Sequence, residues 1–284
     1  MDSKIEIDVA YEDAIKFAES HYENFPVLSF LVPKHLRKHV AIVYQFARKA
    51  DDIADEGNFT DEERLAQLSK FELHLKETKD GTFQNKFWNA LHNSILLKNL
   101  DIQNFSNLLK AFKQDIVKHR YSNFDELLNY CKSSADPVGR IILELNGIHS
   151  EKAKLYSDKI CTALQITNFL QDIAEDFEKG RIYLPLNELK EFGVQENLFQ
   201  LKENNSNFKK LMKYQVERVQ TFFNEGKNLL PILPFRLRQQ IKWTINGGEG
   251  ILRKIENLDY DVLNLRPKFS KIDLFKLLFN FKIN

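Results

Sequence analysis

Glycine and proline are scarce in this 284-residue chain, at 10 and 7. The few prolines fall mostly between apolar-periodic segments, so a turn-rich β architecture is disfavoured and long helices are favoured. Cysteine is nearly absent. Cys131 and Cys161 stand alone, with no CxxC pair, which excludes a disulfide framework and a cysteine-based zinc site, and suits a reducing cytosol. Net charge is only +1, too little for the basic domain that nucleic acid usually requires. No apolar run reaches the roughly 18–20 residues of a membrane-spanning helix. The N-terminal MDSKIEIDVAYEDAIK carries early acids and no apolar core, against a signal peptide. There is no GxGxxG fingerprint, so no Rossmann-type NADPH site is expected. His35 and His39 are four apart but lack the glutamate and third ligand of a zinc helix.

What is abundant is apolar and charged helix-forming sequence, with 43% hydrophobic residues, 29% charged residues and 23 phenylalanines. Most of those rings belong in a core, and a surplus could line a greasy cavity. The 3.6-residue period predicts helices from about Tyr11 to Tyr22, after Pro33 to Ala54, and over 61–78, 83–98, 102–118, 124–134, 151–178, 205–229 and 235–256. Thr60 with Glu63 reads as a capping box and Asp136-Pro137 as a helix start. Gly57 and Gly180 are stops, 186–200 is short and broken, and Gly247-Gly248-Glu249-Gly250 interrupts the last helix. No strand alternation or linker is visible, so one all-α domain over 1–284, with a core of about 10–260, is expected. The Phe- and Lys-rich tail 268–284 reads either as a final packed helix or as an amphipathic patch on a membrane surface.

Two segments carry the chemistry: Arg48-Lys-Ala-Asp51-Asp-Ile-Ala-Asp55-Glu56 and Asn168-Phe-Leu-Gln-Asp172-Ile-Ala-Glu-Asp176. In each, two aspartates lie one helical turn apart on the same face. Like charges at that spacing destabilise a helix, and a position late in the helix adds an unfavourable dipole. A solvated acidic face is the bland reading. Two such clusters, both interleaved with Ile and Ala, favour a compensating hard cation. Mg²⁺ takes one or two carboxylates together with substrate phosphates. Two facing acidic helices could hold several ions around a diphosphate and promote its departure. Arg48, Lys118, Arg120 and Arg181 are candidate partners for the diphosphate, with surface ion pairing as the alternative.

At these residues the sequence resembles the squalene and phytoene synthase family. The resemblance rests on Tyr44-Gln-Phe-Ala-Arg-Lys-Ala-Asp-Asp-Ile-Ala-Asp55, on Gln165-Ile-Thr-Asn-Phe-Leu-Gln-Asp-Ile-Ala-Glu-Asp176 followed by Gly180-Arg-Ile-Tyr-Leu-Pro185, and on Tyr130 to Gly139. It spans about residues 15–255. His21-Tyr-Glu-Asn-Phe-Pro26, the run ending at Gly57, and Ala135-Asp-Pro-Val-Gly-Arg140 are most similar to the bacterial hydroxysqualene synthase branch. The resemblance implies an all-α isoprenoid (terpenoid) synthase bundle with a central cavity, and Mg²⁺ on Asp51, Asp55, Asp172 and Asp176, with Asn168 joining the shell. It implies conversion of presqualene diphosphate and water to hydroxysqualene, the alternatives being head-to-head squalene, dehydrosqualene or phytoene synthesis and a non-catalytic binding protein. Many relatives have Arg where this chain has Gln171, which removes one cation from the diphosphate site and favours the hydroxysqualene branch. Phe25, Phe46, Tyr130 and Phe169 are candidates for stabilising a travelling carbocation. Tyr44 and Tyr183 could orient water or phosphate, and Gln165 substrate. No NADPH is expected. Presqualene diphosphate synthase and an amine-oxidase-like hydroxysqualene dehydroxylase are the expected functional partners, in the cytoplasm or at the inner face of a membrane.

Overall fold

In a computed structural model, residues 2–20 and 32–270 are described. Phe25, the His21–Pro26 segment and most of the tail lie outside them. Among the described residues the chain is helical, with one isolated parallel bridge, Arg120 to Ile182, and no strand. Contacts divide it into two compact units, Met1–Val117 with Pro137–Lys154, and Lys118–Asp136 with Leu155–Asn284.

The first unit contains α1 (Asp2–Ser20), α2 (Lys34–Asp55), α3 (Asp61–Lys79), α4 (Lys86–Lys98) and α5 (Ile102–Val117). Its core is aromatic: the fully buried Phe46 ring meets Phe71 at 5.3 Å, Trp88 at 6.1 Å and Phe105 at 5.2 Å. Phe46 is therefore a core residue rather than a cavity aromatic. The capping box is present, with the Glu63 N–H donating to Thr60 Oγ1 at 3.3 Å and the Thr60 N–H to Glu63 Oε2 at 2.8 Å. Asn85 caps α4, and Asn99 ends it in the left-handed conformation at φ 50°.

Helix α7 (Asp136–Leu145) starts at the predicted Asp-Pro and, from Pro137 on, belongs to the first unit, whereas α6 (Phe124–Ser134), capped by Asn123, opens the second. The second unit continues with α8 (Glu151–Gln171), α9 (Ile173–Glu178), the short α10 (Leu186–Glu191) and α11 (Asn197–Leu201), α12 (Ser206–Gly226), a 3₁₀ turn (Lys227–Ile232) and α13 (Phe235–Asn257).

Two expectations fail here. The helix over 151–178 is bent at Asp172, whose φ −108° and ψ 17° leave helical geometry, while the N–H groups of Asp172 and Asp176 still bond to the carbonyls of Asn168 and Asp172. The glycines at 247–250 do not interrupt α13. Gly248 is where another helix packs: a Cβ there would stand 2.4 Å from Phe223 Cζ and 3.0 Å from Leu164 Cδ2. The missing side chain permits close approach, and the helix runs through.

Candidate active site

Helix α2 delivers Tyr44, Arg48, Asp51 and Asp55 at its C-terminal end. Arg48 sits among three carboxylates. Its Nη1 donates to Asp51 Oδ2 at 3.1 Å and its Nη2 to Glu56 Oε1 at 2.5 Å. Its Nε lies 2.7 Å from Asp52 Oδ1, an ion pair without hydrogen-bond alignment. One guanidinium thus faces more than one negative charge. Burial, and then the neighbouring Asp55, push the Asp51 carboxyl up to about 6, although its side chain keeps 41% of its surface in contact with solvent. This carboxyl touches water yet is crowded by protein and by like charge. Burial also raises the Tyr44 hydroxyl.

No local motif announces what holds this end of α2. Arg64, on α3, donates from Nη1 to the carbonyls of Ile53 (3.1 Å), Ala54 (2.8 Å) and Glu56 (2.9 Å), and from Nη2 to that of Gly57 (2.8 Å). Carbonyls that a helix end leaves unsatisfied are gathered on one cation. The same positive charge opposes the dipole that would otherwise repel Asp51 and Asp55.

In the second unit, the bend at Asp172 divides the other acidic motif between α8 and α9. Burial, and then Asp172, push the Asp176 carboxyl up to about 6, with Lys179 and Arg181 acting in the opposite direction. Two carboxyls, one in each motif, therefore bind protons far more readily than an exposed aspartate. Each pair calls for positive charge. Among the described residues, no three carboxylate, imidazole or thiol groups gather closely enough to hold a metal alone. A carboxylate pair without a closed cage fits Mg²⁺ that completes its shell with water and phosphate.

Beside Asp176 is a recess lined by Phe169, Ile173, Arg181, Ile182, Tyr183 and Leu184. Two of these residues are aromatic, and two further rings adjoin them. Phe169 and Tyr183 stack at 3.6 Å and 6°, Tyr130 lies 6.1 Å from both, and Tyr121 is 5.7 Å from Tyr183. Tyr121, fully buried, lies in no recognisable motif. The structure thus groups Tyr130, Phe169, Tyr183 and Arg181 near Asp176. Asn168 is exposed and Gln165 half-buried on the preceding turns of α8.

Lys118 and Arg120 are engaged with acids outside the two motifs. Lys118 ion-pairs with Glu126 and lies 5.1 Å from the centre of the Tyr121 ring. Arg120 donates to the Gly180 carbonyl at 2.6 Å and pairs with Glu196 at 3.0 Å, so it ties down the turn after α9. A different cation reaches the motif. Arg266 Nε donates to Asp172 Oδ1 at 2.7 Å and lies 3.2 Å from Glu175 Oε1. It comes from 94 residues along the chain, outside any local motif.

The model of the squalene/phytoene synthase family matches residues 18–273. The hydroxysqualene synthase of Zymomonas mobilis is 40% identical over 170 residues, covering 57% of this chain and 54% of that protein, so the matched part is just over half the relative's length. That of Sinorhizobium fredii is 29% identical over 89% of this chain and 85% of its own. The crystal structure of squalene synthase HpnC from Alicyclobacillus acidocaldarius superposes with a TM-score of 0.86 at 36% identity, covering 90% of this chain and 96% of that one. A dehydrosqualene synthase structure, at 22% identity and a TM-score of 0.84, shares the fold. The expected all-α terpenoid synthase fold is therefore present, and the chain belongs to the squalene/phytoene synthase family.

Proposed function

We propose that this chain converts presqualene diphosphate and water to hydroxysqualene, with release of diphosphate. The observation that carries the reading is electrostatic: each acidic motif contains a carboxyl, Asp51 or Asp176, that burial and a neighbouring aspartate hold near a pKa of 6. A site built so asks for a divalent cation. The hydroxysqualene synthases among the relatives suggest the reaction.

Asp51 and Asp55, and Asp172 and Asp176 with Asn168, would hold Mg²⁺, which when bound supplies positive charge to the departing diphosphate. Arg48 and Arg181 would orient the phosphate oxygens by charge-assisted hydrogen bonds. The C–O bond breaks with its electron pair leaving on diphosphate, and the three-membered ring rearranges and opens. The faces of Phe169, Tyr183 and Tyr130 would shelter the carbocation. Water adds to it and loses one proton, giving the alcohol. The side chains bind, orient and limit water access, and none forms a covalent bond to substrate.

The test is incubation of purified protein with presqualene diphosphate and Mg²⁺, without NADPH. Hydroxysqualene is the expected product. Formation of squalene or dehydrosqualene from farnesyl diphosphate, with no alcohol from presqualene diphosphate, would overturn the assignment in favour of a head-to-head synthase.

A further inference from the structure

After α13, residues 258–270 are held by specific contacts. Asp259 and Tyr260 turn it with φ of 51° and 60°. Asp259 ion-pairs with Lys209, and the Asn264 amide donates to the Lys202 carbonyl at 3.0 Å. Val262 and Leu263 are buried. The segment is thereby delivered to the second acidic motif. There the Gln171 Nε2 donates to the Pro267 carbonyl at 2.5 Å, one residue from the Arg266 that pairs with Asp172 and Glu175. Gln171 stands immediately before Asp172, at the end of α8. Its amide is neutral, so it can grip a backbone carbonyl without repelling Arg266. An arginine in its place would set two guanidinium groups against each other.

We propose that Gln171 is a positioning residue: it pins residues 264–267 as a strap that holds Arg266 on Asp172, so that a divalent cation must displace this guanidinium to take up Asp172 Oδ1. The inference rests on the metal-binding reading of the second motif. Arg266 keeps 36% of its side chain exposed and Asp172 26%, so the pair is of the weak, solvent-screened kind, strong enough to occupy the oxygen and weak enough to yield. Gln171 acts through the backbone of Pro267 and Arg266 through charge, so their removal should act in the same direction.

The test uses the full chain and Mn²⁺ without substrate, with binding followed by electron paramagnetic resonance and calorimetry, and backbone amide exchange over 264–270 as a second readout. Arg266→Gln is expected to bind Mn²⁺ about two- to fivefold more tightly, the range of an exposed ion pair. Gln171→Ala should shift affinity the same way by less, and Mn²⁺ should speed exchange over the strap in the unaltered protein. A merely structural role for Gln171 would not tighten metal binding. Equal or weaker Mn²⁺ affinity in a folded Arg266→Gln protein, or unchanged strap exchange, overturns the strap while leaving the metal reading intact. Failure of the unaltered chain to bind Mn²⁺ in a manner sensitive to Asp172→Asn overturns both.

Discussion

Removing Arg64 tests whether the first acidic motif is held by a cation under the end of α2. The guanidinium donates to four carbonyls, those of Ile53, Ala54, Glu56 and Gly57, at 2.8–3.1 Å. A hydrogen bond involving a charged group contributes about 1.5–3 kcal/mol, but bonds sharing one cation are not additive, and water can replace part of this half-buried set. Arg64→Ala should therefore cost about 2–3 kcal/mol, a fall in Tm of roughly 4–10 °C for a chain of this size. Arg64→Lys should recover only part of the loss, because a point ammonium cannot span four acceptors as the planar fork does. Circular dichroism melts in EDTA give the stability, and amide exchange over 53–59 localises the effect. Mn²⁺ binding should weaken as well, since Asp55 lies between the clamped carbonyls. An Arg64→Ala protein that melts within 1 °C of the parent, with unchanged exchange at 53–59, would refute this role for Arg64.

Other expectations follow from single contacts. His39, 3% exposed and held near a pKa of about 4 chiefly by burial, should make stability rise with pH between 4 and 6.5, since the unfolded chain binds that proton there and the folded chain does not; acid melts should show about 3 kcal/mol lost below pH 4, and His39→Asn should flatten this limb. Asp51→Asn should abolish turnover yet stabilise the metal-free protein above pH 6, because the raised carboxyl is charged there at a cost; the shift would suggest about 3 kcal/mol, reduced to about 1 by solvent screening of a side chain that is 41% exposed, and vanishing near pH 4. Arg218→Met should cost about 3–5 kcal/mol in urea melts by stranding the buried Glu188, which it grips at 2.6 and 2.8 Å, while the double variant with Glu188→Leu should recover much of the loss. Gly248→Ala should lower stability by about 1–3 kcal/mol through the collision with Phe223, a loss that Phe223→Leu partly restores.

Helices were legible wherever a periodic apolar face coincided with a local stop signal. The Thr60–Glu63 box, the Asp136-Pro137 start and the segments 102–117 and 124–134 all depend on neighbours within one or two turns. The glycines of α13 misled because a single-residue propensity was weighed without knowing that Phe223 and Leu164 stand against that face. The bend at Asp172 was hidden for the converse reason: the residues around it are good helix formers, and its two flanking hydrogen bonds survive.

The candidate site divides along the same line. Carboxylate pairs announce themselves because both members lie within one turn, and the cost of their mutual repulsion is readable from spacing alone. Their cations do not, because any lysine or arginine in 284 residues can reach a carboxylate once the chain is folded. Lys118 and Arg120, expected beside the diphosphate, both face other acids, Glu126 and Glu196. Arg64 and Arg266, which make the closer contacts to the motif backbone and to Asp172, lie in stretches with no signature. Gln171 shows why this matters. Read alone it is a lost positive charge; in the folded chain its amide secures the carbonyl beside Arg266, so the charge missing from position 171 is supplied from 94 residues beyond Asp172 in sequence but within hydrogen-bond reach in space. A substitution that subtracts a cation locally can thus leave the electrostatics of a site nearly whole, provided the replacement can hold the segment that carries another.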